Sequence, residues 1–135
     1  VVLARQNLAA AVYLFELGFE DEARKLLLHG HCHQKALVGT GPSQQTLTLP
    51  EGYSVSEVDS GCCGMAGAFG YEKEHYEISK EMAYRQLIPT VMGTREDATV
   101  VAAGTSCRHQ IKDFTGRDAV HTAVALARRL KTKAE

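Results

Sequence analysis

Apolar positions recur at helical spacing through residues 3–17, at Leu3, Leu8, Ala11, Leu14 and Leu17. They predict an opening helix that Gly18 ends. Residues 21–24 are polar and lead into Leu26, Leu27 and Leu28 before Gly30. So short an apolar run reads either as a buried strand or as the end of a second short helix. Residues 39–45 (GTGPSQQ) carry a loop signal, with Pro42 and Ser43 able to start a helical turn. Tyr53, Val55 and Val58 alternate closely enough with polar neighbours to predict a strand. A glycine-rich run, SGCCGMAGAFG, follows at 60–70. Beyond it a long helix is predicted from Glu72 to Met92, with Ile78, Met82, Leu87 and Val91 inward and a kink or stop at Pro89. ATVVAAG at 98–104 reads as a buried strand stopped by Gly104. Ser106 is a candidate cap for a helix reaching Phe114 and ended by Gly116. DAVH reads as a last short strand, and a basic-ended helix begins near Thr122. Strands alternating with helices predict an α/β fold, a small parallel sheet flanked by helices, with cysteines at the C-terminal ends of the strands.

The cysteines sharpen this picture. Cys32 follows LLLHGH, Cys62 and Cys63 follow YSVSEVDSG, and Cys107 follows ATVVAAGTS. Each comes just after a candidate strand. In a parallel sheet those strand ends share one edge, where such folds bind ligands. Thiolates are soft donors that select zinc, copper(I) or iron–sulfur clusters. Flanking glycines permit the backbone turns that bring adjacent sulfurs inward, and their N–H groups can donate to sulfur. Buried small hydrophobes are the plain alternative for any one cysteine. Two disulfides are awkward, because neighbouring cysteines bond only with strain.

Length, charge and the histidines bound the rest. The 135 residues suit one domain, or one domain plus an appendage, and the formal charge of −1 lacks a basic nucleic-acid footprint. No apolar run approaches the ~20 residues of a membrane helix, and no secretory signal is visible. A reducing, cytoplasmic setting is expected, at most peripheral to a membrane. The chain starts Val1-Val2 without Met, and we read it as a fragment of a longer polypeptide. Were 28–32 extended, His29, His31 and His33 would share one face and Cys32 the other, leaving one or two histidines to help a metal. Solvated or hydrogen-bonded histidines are the alternative. His109 and His121 lie near the same edge, while His75 is expected to be solvated. Lys35 and Arg108 stand near cysteines as thiolate-stabilising or ordinary surface charges. Met65 and Phe69 would shield a site or pack the core. Tyr71, Tyr76 and Tyr84 read as helix packing.

HGHCHQKAL, SGCCGMAGAFGYEKEHYEIS and GTSCRHQI resemble the cysteine-rich CCG domain. That domain occurs in one subunit each of heterodisulfide reductase and anaerobic glycerol-3-phosphate dehydrogenase, and in the iron–sulfur subunit of glycolate oxidase. The wording is most similar to the C-terminal part of FAD-linked oxidases of the D-lactate and D-2-hydroxyglutarate dehydrogenase kind. The resemblance runs from about Leu26 to Leu130. It implies an iron–sulfur domain at 25–135, which follows the N-terminal helical segment expected at 1–24 from periodicity. The family pattern is a Cys, then Cys-Cys-Gly, then Cys-x-x-Cys. Gly104 stands where the first cysteine of the last pair is expected, which leaves Cys32, Cys62, Cys63 and Cys107. Four thiolates suffice for a [4Fe–4S] cluster, and zinc is the alternative occupant. His31, His33, Gly64, His109 and His121 would then surround the site without ligating. The resemblance also implies an electron-transfer role within an oxidoreductase. FAD would lie on another domain or subunit, a second CCG domain would face this one, and a quinone or carrier protein would accept electrons. A thiol redox enzyme using the vicinal pair is a third possibility. The chain alone is not expected to be a complete enzyme.

Overall fold

The computed structural model describes residues 24–130. The predicted helix at 3–17 lies outside them.

Four strands form one all-parallel sheet: β1 (Arg24–His29), β2 (Tyr53–Glu57), β3 (Thr99–Ala102) and β4 (Ala119–Val120), in the order β2-β1-β3-β4. The open choice at 26–28 resolves to a strand. Leu26, Leu27 and Leu28 are all buried, because β1 is central and helices cover both its faces. Each contributes roughly 1.5–3 kcal/mol by leaving water, and a strand wrapped on both sides has no reason to alternate.

Alternation still assigns the faces. Leu26 and Leu28 pack with Leu47, Tyr53, Val101, Ala125 and Leu126, under α2 (Gly41–Leu47) and α6 (Thr122–Ala127). Leu27 points the other way, toward Val58, Ala83, Leu87, Ile88, Val91, Val100 and Ile111. That face lies under α3 (Tyr76–Arg85), α4 (Leu87–Gly93) and α5 (Thr105–Thr115). A short helix, α1 (Cys32–Leu37), follows β1 directly.

The structure corrects several expectations. The loop signal at 39–45 begins a real helix, α2, with Pro in its first turn, where the missing N–H costs nothing. The long helix expected over 72–92 is instead two 3₁₀ turns, Phe69–Tyr71 and Lys73–His75, followed by α3 and α4. The break falls at Gln86 (φ −145°, ψ −45°). Pro89 explains it: its ring conflicts with the carbonyl four residues earlier, at Arg85, so the chain restarts and Pro89 sits in the tolerant first turn of α4. The inner face of α3 also differs from the expected one. Ile78 is 52% exposed, and Ser79 and Ala83 are buried in its stead. On α5 the N-cap is Gly104 rather than Ser106, with no side-chain cap. Gly116 (φ +71°) closes that helix as expected, its N–H bonded to the Lys112 carbonyl at 2.8 Å.

Candidate metal centre at the carboxyl edge of the sheet

Strand register sets the level of the site. His29 pairs with Ala102, and Leu28 pairs with both Val101 and Glu57. β1, β2 and β3 therefore end together, and the segments carrying Cys32, Cys62–Cys63 and Cys107 leave the sheet at one edge. Cys32 opens α1 and Cys107 lies in the first turn of α5. Cys62 and Cys63 occupy the loop after β2. All four cysteines are free.

They form an inner and an outer pair. Cys63 and Cys107 are buried, whereas Cys32 and Cys62 are half-buried. Cys63 and Cys107 share a hydrogen bond, which holds Cys63 well below the ordinary thiol range despite its burial; the His29 ring and the Met65 N–H add to the effect. The same partnership, with burial and the other thiols, pushes Cys107 up. Burial first, and then the neighbouring Cys63 and Cys32, raises Cys62 against the opposing Gly64 N–H. That N–H donates to Cys62 Sγ at 3.3 Å. Mutual perturbation of this kind means that the sulfurs face one another.

The loop is held by Gly64, which the sequence singled out, and by Gln110, which it did not. Gly64 has φ +94°, and a Cβ there would collide with the backbone carbonyl of Ser79. Buried Gln110 donates to the Cys63 carbonyl at 3.0 Å and to Ser79 Oγ at 2.9 Å. Its place three residues after Cys107, on the same helix face, was the available signal. Met65 is buried against Cys63 and Cys107 in the core, while Phe69 stacks on His75 with ring centroids 4.0 Å apart. Lys35 and Arg108 act on backbone. Lys35 Nζ donates to the Ser60 carbonyl at 2.7 Å and pairs with Glu57 at 3.1 Å. Arg108 donates to the carbonyls of Ala102 and Ala103 at 2.9 and 2.8 Å. Each fastens a cysteine-bearing segment to a strand end.

The histidines separate. The stretch 28–32 is not uniformly extended: β1 stops at His29 and α1 starts at Cys32. His29 shares the Leu27 face and is 1% exposed. Its ring nitrogen and the Cys63 and Cys107 sulfurs lie within 4.8 Å of one another. His31 caps α1, its Nδ1 accepting from the His33 N–H at 3.2 Å. Its ring fills the space a Cβ at Gly104 would enter, and that Cβ would also stand 2.8 Å from Cys107 Sγ. His33 is exposed. His109 is exposed and bonds Tyr71 OH at 2.6 Å, and exposed His121 caps α6 through Nδ1.

Soft sulfurs and an imidazole nitrogen gathered in a buried pocket are donors suited to a thiophilic metal. Fold and site together define a parallel α/β unit with a cysteine–histidine group, able to hold a metal, at its ligand-binding edge. The chain is similar to part of the D-2-hydroxyglutarate dehydrogenase of Escherichia coli, 31% identical over 106 residues, covering 76% of this chain and 10% of that protein. The Haemophilus influenzae D-2-hydroxyglutarate dehydrogenase is 30% identical over 127 residues, 93% of this chain and 12% of the relative. One subunit of the E. coli anaerobic glycerol-3-phosphate dehydrogenase is 29% identical over 106 residues, 78% and 26% of the two chains. The chain thus spans about a tenth to a quarter of the length of these curated relatives. No family model and no solved structure matches it. Among the described residues no helix is long and apolar enough to cross a membrane.

Proposed function

We propose that this chain is the iron–sulfur electron-transfer module of a larger FAD-linked 2-hydroxy-acid dehydrogenase, occupying residues 25–135 after a helical segment at 1–24. Cys32, Cys62, Cys63 and Cys107 would hold a [4Fe–4S] cluster. When bound, such a cluster passes single electrons between a flavin on another domain or subunit and a quinone or carrier protein. The observation carrying the reading is the convergence of free thiols from three strand ends. Similarity to short regions of much longer dehydrogenases supports a flavoprotein partner, and a second domain of the same kind would complete the cleft. Around the metal, Gly64 would direct its N–H to Cys62, and Lys35 and Arg108 would keep the thiol-bearing segments in register. A cytoplasmic location, at most peripheral to a membrane, accords with this role.

One observation favours a second reading. The His29, Cys63 and Cys107 donor atoms lie within 4.8 Å of one another. A single tetrahedral ion with metal–sulfur bonds of ~2.3 Å spaces its ligands about 3.8 Å apart, a spacing within reach of this group. Anaerobic reconstitution followed by iron, sulfide and zinc analysis tests both. Four irons and four sulfides with brown absorbance are expected; colourless protein retaining one zinc would replace the first reading with the second.

A further inference from the structure

The pocket contains a donor outside the four cysteines. His29 Nε2 is buried in a side chain 1% exposed, and what the ring meets in the pocket is the Cys63 thiol. A thiol is only a weak hydrogen-bonding partner for a buried ring nitrogen, so the pocket suits a metal ion that takes the nitrogen together with the sulfurs. The other ring nitrogen is occupied: Nδ1 lies 2.9 Å from buried Ser60 Oγ. If Nδ1–H donates to that hydroxyl, Nε2 is the ring nitrogen left with a free lone pair for the Cys63–Cys107 group. Metal-binding histidines are commonly oriented in this way, through a hydrogen bond at the nitrogen remote from the metal. The chain reinforces the arrangement at Ser60, whose carbonyl takes the Lys35 ammonium at 2.7 Å. His31 is arranged oppositely. Its Nδ1 accepts from the His33 N–H, so a neutral ring has its proton on Nε2 and offers no lone pair there.

We propose that His29 Nε2 is a direct metal ligand, forming with Cys63 and Cys107 the inner, nitrogen-containing part of the site, with Ser60 as its positioning residue. The proposal rests on reading the thiol group as a metal site, but not on which metal fills it. A nitrogen ligand would set this centre apart from one held by thiolates alone.

The test loads the reduced 135-residue chain anaerobically with zinc alone and records zinc X-ray absorption. Wild type is expected to show one nitrogen at about 2.0 Å beside sulfur at about 2.3 Å. His29→Ala should lose the nitrogen shell and bind zinc at least tenfold more weakly. His31→Ala should keep both, and Ser60→Ala should keep the nitrogen while weakening binding about tenfold. Circular dichroism checks the fold, and His29→Gln, which preserves polarity and bulk, replaces the alanine variant if that variant unfolds. An all-sulfur shell in wild type overturns the proposal. So does a nitrogen shell that persists in both His29 variants, or failure to bind zinc at all. Iron reconstitution is scored separately. A normal cluster beside an all-sulfur zinc shell would sink His29 and leave the iron–sulfur reading intact, while a nitrogen-containing zinc site with no retained iron would do the reverse.

Discussion

Gly64 and Gln110 carry the Cys62–Cys63 loop onto the scaffold. At Gly64 a side chain would meet both a positive φ and the Ser79 backbone. Gly64→Ala should therefore cost more than the roughly 1–2 kcal/mol of the left-handed conformation alone, because the obstructing atom is carbonyl oxygen and cannot rotate away. Urea unfolding of the two proteins measures it, and a loss under about 1 kcal/mol would mean that the loop refolds around the methyl group. Gln110→Ala leaves the Cys63 carbonyl and Ser79 short of a buried donor. An unsatisfied buried group costs about 1–3 kcal/mol, and that loss is expected in the same experiment, with faster alkylation of Cys63 by iodoacetamide. Unchanged alkylation would show that Gln110 does not hold the loop. These roles were only partly legible in the sequence. The glycines around the cysteine pair signalled unusual backbone, but which of them is pressed against α3 depends on a contact with residues remote in the chain.

At the scale of elements, the end of β2 is tied to α1 and α2 by one carboxylate. Burial raises the Glu57 pKa, but hydrogen bonds from Thr40, Lys35 and Gln44 and the Lys35 charge more than offset it, leaving it lowered. Thr40 Oγ1 and Gln44 Nε2 both donate to Glu57 Oε2 at 2.7 Å. A lowered folded-state pKa means that the unfolded chain binds the proton first as pH falls. The stabilisation from Glu57 is thus complete above the usual carboxylate range and disappears as pH drops through the lowered value. Glu57→Gln should flatten the fall in urea midpoint between about pH 5 and pH 3. An unaltered slope would assign the acid sensitivity to other carboxylates. The elements themselves were mostly readable. β2, β3 and α5 follow from alternation, β-branched content and the Gly116 stop. The division at Gln86 was readable only in part, since Pro89 announces a break but places it one turn upstream of itself.

For the whole molecule, ligand count governs the expected behaviour. Gly104 offers no thiol, so Cys107 is the sole sulfur from the segment after β3. Cys107→Ser should lose most bound iron and visible absorbance after reconstitution identical to wild type, because serine oxygen is a harder and weaker ligand here. The far-ultraviolet dichroism should be unchanged, as the two side chains are nearly isosteric. Equal iron in both proteins would remove Cys107 from the ligand set. The chain by itself should not oxidise D-2-hydroxyglutarate or D-lactate with an artificial acceptor. Turnover without added flavoprotein would contradict the proposed division of labour.

The amino-acid sequence carries the layered α/β arrangement and the location of the thiols. Periodicity, β-branched runs and glycine stops are local properties, and a parallel sheet then forces successive strand ends to one edge. It also carried the resemblance to dehydrogenase segments in the words around Cys32, Cys62–Cys63 and Cys107. Which histidine lies beside them depends on long-range packing. His29, His31 and His33 look equivalent in the chain, and an extended reading put all three on one face. The strand ends at His29, so that this ring follows Leu27 into the core, while the turn into α1 sends His31 to a cap and His33 to solvent. A single change of backbone conformation between residues 29 and 32 separates them. What sets it is the strand pairing of His29 with Ala102 and the approach of its ring to Cys63 and to Cys107 on α5, interactions with residues that no local pattern can reach.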